Sequence, residues 1–157
     1  MSIQVGQAAP DFTLRDTEKN KVTLSEQKGK NVLLLFFPLA FTSTCTKELC
    51  MMRDNIAFYN GLNAEIFGIS VDSLFSLGKF KAEQNLNFKL LSDFNKTAST
   101  DYDTIYDHWF NDMDGVSKRS AFLIDKEGIV RYAEVLENAS DVPDFNAIEK
   151  CLNEINK

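Results

Sequence analysis

The chain has one histidine, three cysteines, three prolines and seven glycines among its 157 residues, and its 17 basic side chains are outnumbered by 23 acidic ones. Each shortage excludes a class of function. His108, with Cys45 and Cys50 five positions apart and Cys151 far along the chain, does not make a four-ligand zinc site of usual spacing. No metal and no other cofactor is therefore expected. The net charge of -6 opposes a nucleic-acid partner, because phosphate binding needs a basic footprint. Lys28-Gly29-Lys30 and Lys118-Arg119 are too small to supply one. The longest apolar run, near Val32 to Phe41, is far short of the roughly 20 residues a membrane span needs. The residues after Met1 show no basic region leading into an apolar stretch, so a cytoplasmic location is expected. There is no glycine-rich phosphate loop, internal repeat or low-complexity tract.

What is present suffices for one core. A hydrophobic content of 44% in 157 residues predicts one domain, residues 1–157. Three cysteines in a reducing compartment are expected to be thiols, where a pair is more often catalytic than structural. Asp11 to Leu14 and Lys21 to Leu24 alternate apolar and polar residues around a polar turn and predict a hairpin. Val32 to Phe37 does not alternate, as expected of a strand buried on both faces.

Cys45, Leu49, Met52, Ile56 and Tyr59 recur at helical spacing, predicting one apolar stripe with Cys45 at its head and Gly61 as a C-terminal cap. Ala64 to Val71 reads as a second buried strand. Asp72 or Ser73 can cap a helix running to about Gln84. Phe88 to Leu91 reads as a short strand and Asn95 to about Tyr106 as a helix, before a polar loop from Asn111 to Gly115. Ala121 to Ile124 and Ile129 to Val135 predict a late hairpin, and Asp144 to Ile155 a closing helix. Strands alternating with helices predict an α/β sandwich.

A cysteine in the first turn of a helix is the position of greatest chemical interest. Unpaired N–H groups there carry about half a positive charge and favour an anion, so Cys45 is expected to be a thiolate at neutral pH. An ordinary thiol is only about 3% ionised at pH 7, so full ionisation raises the reactive fraction about 30-fold at most. A fast thiol reaction needs further groups that stabilise its transition state.

The pattern Pro38-x-x-x-Thr42-x-x-Cys45 resembles the active-site signature of the peroxiredoxins, thiol peroxidases built on a thioredoxin-like fold. Glu48 extends the match, and Arg119, within Ser117 to Asp125, stands where that family places its active-site arginine. The likeness runs from Gly6 to about Glu134. Phe37 to Thr42, Ile69 to Asp72 and Leu90 to Phe94 look most like the AhpE group. The resemblance implies an α/β thioredoxin-like fold, with a central mixed sheet flanked by helices and an N-terminal hairpin. It implies that Cys45 attacks a hydroperoxide, that Thr42 and backbone N–H groups of Thr44-Cys45 bind it, and that Arg119 stabilises the thiolate and the polarised O–O bond. Pro38 would shield the sulfur, and Glu48, one turn beyond Cys45, is better placed to orient an arginine than to act as a base. The reductant would be a thioredoxin-like protein or a low-molecular-weight thiol. A homodimer is compatible with the resemblance, although no residue pattern requires one.

Cys50 leaves two readings open. The spacing Cys45-x-x-x-x-Cys50 resembles the PrxQ group, where the second cysteine resolves the first, and departs from the AhpE pattern, which usually lacks it. On one helix the two side chains would point about 140° apart, with Cα atoms about 8 to 9 Å from each other. That exceeds the about 7 Å a disulfide tolerates, so the helix would have to unwind. Either Cys50 resolves in a locally unfolded state or it is incidental. Cys151 lies on the apolar face of the last helix with Ile148, Leu152 and Ile155 and reads as buried filler. The Gly-Gly-Leu-Gly loop and C-terminal Tyr-Phe of the easily over-oxidised peroxiredoxins are missing. Phe94, Tyr102, Tyr106, Trp109 and Phe110 read mainly as core or loop packing, with lining of the peroxide pocket or of a dimer surface by some of them as the lesser alternative. A redox sensor or holdase using Cys45 is an alternative. A thiol-disulfide oxidoreductase is disfavoured because Glu48 stands where the second cysteine of Cys-x-x-Cys would be.

Overall fold

The computed structural model describes residues 2–156. The chain runs β1 (Thr13–Asp16), β2 (Lys21–Thr23), β3 (Asn31–Phe36), α1 (Ser43–Asp54), α2 (Ile56–Gly61), β4 (Ala64–Ser70), α3 (Leu74–Gln84), β5 (Lys89–Ser92), α4 (Thr97–Asp101), β6 (Ile105–Tyr106), β7 (Val116–Ser117), β8 (Ser120–Ile124), β9 (Val130–Val135) and α5 (Phe145–Ile155). Seven strands form one mixed sheet in the order β2-β1-β5-β4-β3-β8-β9, and β6 pairs with β7 separately. β3 lies parallel to β4 and antiparallel to β8, which makes it the centre of the sheet.

Every residue of β3 is buried, as its unbroken apolar run predicts. Leu33 and Leu35 point into one core with Leu49, Met52 and Tyr59 from α1 and α2, Leu77 and Phe80 from α3, and Ile148 and Leu152 from α5. Val32, Leu34 and Phe36 point into a second core with Phe12, Leu14, Ala98, Tyr102 and Phe122. The period-two alternation of a strand thus puts a separate core on each sheet face. β4 passes close beneath its neighbours at Gly68, where a Cβ would meet Leu90 Cδ2 at 2.7 Å. No helix among the described residues is long and apolar enough to cross a membrane.

Three expectations are corrected. The stripe from Cys45 to Tyr59 is carried by two helices, because the chain leaves helical geometry at Asn55 (φ -114°, ψ 14°). Gly61 is the last residue of α2 and not a cap beyond it; the left-handed residue there is Asn63, with φ 54°. The helix read from Asn95 to Tyr106 shrinks to five residues. Left-handed Lys96 (φ 63°) and Asp103 (φ 53°) bound it, and Tyr106 is a strand residue opposite Val116. The buried Asp93 carboxylate accepts the Ala98 and Ser99 N–H groups at 3.0 and 2.7 Å, which starts the short helix late. Elsewhere Ser73 caps α3 by accepting the Ser76 N–H at 3.1 Å, and Asp144 caps α5 by accepting that of Ala147.

Candidate active site

The loop after β3 carries Pro38 and Thr42, and the first turn of α1 that follows it carries Cys45. Pro38 is buried and Thr42 half-buried. Ala40 N–H donates to the Asp72 carboxylate at 2.8 Å, tying this loop to the end of β4. Phe41 takes a left-handed conformation (φ 69°), a strained backbone of the kind that concentrates at functional sites. Its ring packs edge-on against Phe80 with centroids 5.1 Å apart. Thr42 occupies the N-cap of α1, yet its hydroxyl donates to the Leu39 carbonyl at 2.8 Å and caps no helix N–H. The first-turn N–H groups of α1 therefore have no side-chain acceptor from the N-cap.

Cys45 Sγ is fully buried and is met by Arg119, which arrives from the start of β8. The Arg119 guanidinium is itself only 1% exposed and makes three directed contacts. Nε donates to the Ala139 carbonyl at 3.0 Å, Nη1 to Glu48 Oε1 at 2.7 Å, and Nη2 to Cys45 Sγ at 3.1 Å. Glu48 lies one helical turn after Cys45, so both project from the same face of α1. The planar fork of a guanidinium suits such fixed, divergent acceptors better than an ammonium would.

Electrostatics modify the expectation drawn from the helix start. Burial is the largest influence on Cys45 and pushes its thiol above the ordinary value; the Arg119 charge, the Thr42 hydroxyl and the Leu39 backbone pull it back. The helix N-terminus thus cannot by itself account for a thiolate here. Burial likewise raises Glu48 to about 7 against the pull of Arg119. Burial also works against the Arg119 charge, but Glu48 and Cys45 outweigh it and hold the guanidinium above its ordinary pKa.

Beside Arg119 and the start of α1 is an open cleft of about 560 Å³, walled by Thr42, Thr44, Arg119, Trp109, Phe110 and Ala139; Cys45 lies behind this wall and does not line it. Trp109 stacks parallel to Tyr106 and contacts Phe110 edge-on with centroids 4.1 Å apart. Two of the aromatics read as packing thus line the cleft, whereas Tyr102 and Tyr106 are core residues and Phe94 is exposed. Sequence reasoning missed the Ala139 carbonyl, which no side-chain pattern could signal. It also passed over Gln84, whose Oε1 accepts from Cys50 Sγ at 3.5 Å.

Cys50 is half-buried on the far side of α1, and the helix carrying both cysteines is unbroken. Cys151 Sγ is half-buried and directed at the Arg131 carbonyl, 3.5 Å away. His108 is exposed and lies 3.5 Å from the Asp114 carboxylate. Among the described residues, no group of three or more His, Cys, Asp or Glu side chains could hold a metal ion.

Comparison with known proteins identifies the family. The AhpC/TSA family model matches residues 5–133. Alkyl hydroperoxide reductase E of Mycobacterium tuberculosis is 39% identical over 136 residues, covering 85% of this chain and 86% of that protein. Peroxiredoxin Bcp of Bacillus subtilis is 40% identical over 130 residues, 82% of each chain. The crystal structure of peroxidoxin BcpB from Mycobacterium tuberculosis superposes with a TM-score of 0.86 at 27% identity, covering 98% of both chains. With its thioredoxin-like fold and a cysteine held by a buried arginine, the chain belongs to the AhpC/TSA family, the peroxiredoxins, which are thiol-dependent peroxidases.

Proposed function

We propose that residues 1–157 act as one domain that reduces hydrogen peroxide and small organic hydroperoxides through a sulfenic acid on Cys45. The single observation that carries this reading is the Arg119 Nη2 to Cys45 Sγ contact of 3.1 Å inside the protein. In the proposed reaction the Cys45 thiolate attacks the outer peroxide oxygen, the S–O bond forms as the O–O bond breaks, and water or alcohol leaves after protonation. Arg119 stabilises the thiolate and the charge developing on the departing oxygen. Thr42 and the N–H groups at the start of α1 hold the peroxide, Pro38 keeps bulk water from the sulfur, and Glu48 holds the arginine in place. No metal, haem or flavin takes part.

Cys50 then resolves the sulfenic acid as an intramolecular disulfide, expelling water, after α1 unwinds between the two cysteines. A thioredoxin-like or low-molecular-weight thiol in the cytoplasm reduces the product. A second reading is favoured by the unbroken α1 and the Cys50–Gln84 contact. In it Cys50 stays in place and an external thiol reduces Cys45 directly.

Intact mass and a peptide map of reduced protein after one equivalent of hydrogen peroxide separate these routes. A loss of about 2 Da mapped to Cys45 and Cys50 supports the two-cysteine cycle, and a gain of about 16 or 32 Da on Cys45 supports the one-cysteine route. An unchanged mass overturns the peroxidase reading.

A further inference from the structure

Two acids share one buried cation in this site. Arg119 donates through Nη1 to Glu48 and through Nη2 to Cys45, and all three side chains are at most 1% exposed. Glu48 Oε2 has no hydrogen-bond partner among the described residues. A buried carboxylate with half its acceptor capacity unmet is costly, and protonation removes most of that cost.

The charge count is decisive. With Glu48 and Cys45 both protonated the cluster carries +1, with both ionised it carries -1, and with one proton shared between them it is neutral. A low-dielectric interior favours the neutral count. Two arrangements achieve it: Glu48 ionised beside a Cys45 thiol, or Glu48 protonated beside a Cys45 thiolate. Only the second contains a nucleophile.

We infer that Glu48 is the proton partner of Cys45: as the Cys45 S–H bond breaks, an O–H bond forms on Glu48, and the buried cluster stays neutral around Arg119. This rests on the peroxidase reading only for naming the thiolate as the reacting species. The balance then closes through the oxidation. Attack converts the thiolate into a neutral sulfenic acid and releases an alkoxide or hydroxide. With the sulfur no longer charged, Arg119 again favours the Glu48 anion, and the proton Glu48 gives up matches the one the departing oxygen takes. The net change is thiol plus hydroperoxide to sulfenic acid plus alcohol or water.

The surroundings permit this. Burial raises both acids, Glu48 to about 7 and Cys45 above its ordinary value, so each disfavours its charged form and both compete for the one Arg119 charge. From the other elements, Tyr106 of β6 faces Cys45 and Arg119, and burial raises its phenol, keeping it neutral in this range. Glu137, on the exposed rim, acts on that phenol. Glu48 is thus a positioning residue with a proton to hold, not only a tether for Arg119.

The test uses full-length protein with Cys50→Ser and Cys151→Ser, so that thiolate ultraviolet absorbance reports Cys45 alone. The coupled cluster is expected to ionise Cys45 in two steps. Glu48→Gln is expected to collapse these into one step at least about one pKa unit lower, or about tenfold more thiolate below the midpoint. A residue that merely orients Arg119 predicts the reverse, because a loosened guanidinium raises the Cys45 midpoint. An unmoved or raised midpoint in Glu48→Gln overturns the inference. Should Glu48→Gln not fold, infrared spectroscopy of Cys45→Ser decides. With its competitor gone, Glu48 is expected to lose its protonated-carboxyl band at lower pH than in the thiol-bearing protein, and an unchanged midpoint overturns the proposal. Neither readout requires turnover, so the coupling and the peroxidase reading fail separately.

Discussion

Arg119 Nη2 reaches Cys45 Sγ across 3.1 Å, joining two residues 74 positions apart in the chain. The contact exists because β8 lies directly beside β3. The residue preceding β8 therefore stands next to the loop that follows β3. The arginine supplies the charge that burial of the sulfur most requires, since desolvation is the largest influence on Cys45 and Arg119 the largest opposing one.

Replacing Arg119 by alanine is expected to slow Cys45 oxidation at least about tenfold, a loss of about 1.4 kcal/mol or more of transition-state stabilisation. Arg119→Lys should recover little of it, because one ammonium cannot reach Ala139, Glu48 and Cys45 together. Stopped-flow oxidation rates check both variants, and an unchanged rate in Arg119→Ala removes the residue from the site.

Cys45→Ser should abolish peroxide consumption, while Cys151→Ser should leave it intact. Cys151 is only half-buried, on α5, and its sulfur is directed at a backbone carbonyl. Turnover retained by Cys45→Ser, measured with a thiol reductant in excess, would end the assignment of the nucleophile.

The parts of this molecule legible in its sequence are those where one physical rule dominates. The buried run of β3 and the apolar spacing of Cys45, Leu49 and Met52 are set by period alone, and both stand in the structure. Arg119 was recognisable only by its likeness to a family, since a lone arginine before a strand reads as a surface charge. The helix expected to reach Tyr106 failed because Asp93 captures two N–H groups and Asp103 turns left-handed. Both are effects of particular side chains that periodicity does not register. The depth of the sulfur, and with it the upward push on its ionisation, depends on packing from β8 and was invisible in the helix-start argument.

The end of α1 is fastened to the end of α3, and the fastening should govern the fate of Cys50. Arg53 Nη1 donates to the Gln84 carbonyl at 2.6 Å, and Asn87 Nδ2 donates to the Arg53 carbonyl at 3.2 Å. Arg53→Ala is expected to loosen this segment. Disulfide formation after a peroxide pulse should quicken several-fold, and over-oxidised Cys45 should fall in the mass spectrum. An unchanged ratio of disulfide to sulfinic acid would show that unwinding does not limit resolution.

The aromatic wall of the cleft should matter more for bulky hydroperoxides than for small ones. Trp109 and Phe110 offer apolar surface that hydrogen peroxide is too small to use. Trp109→Ala is expected to lower kcat/KM for cumene hydroperoxide by about tenfold and to change that for hydrogen peroxide by less than about twofold. Equal losses on both substrates would place the tryptophan in the scaffold of the loop instead.

Glu48 makes a prediction about stability as well as ionisation. Its folded carboxyl titrates at about 7, against an ordinary value of 4.5. Between these values the unfolded chain has released the proton that the folded protein still holds, so stability falls as pH rises. The contribution is fully present below about 4.5 and is lost through about 7. At about 1.4 kcal/mol per pH unit the gap is worth about 3 kcal/mol. Glu48→Gln cannot release a proton and should lack this decline. Its unfolding free energy relative to wild type should therefore rise by up to about 3 kcal/mol between pH 4.5 and pH 8, measured by denaturant titration at each pH. Parallel pH profiles for the two proteins would mean that the carboxyl is ionised throughout, held down by Arg119 more strongly than burial raises it.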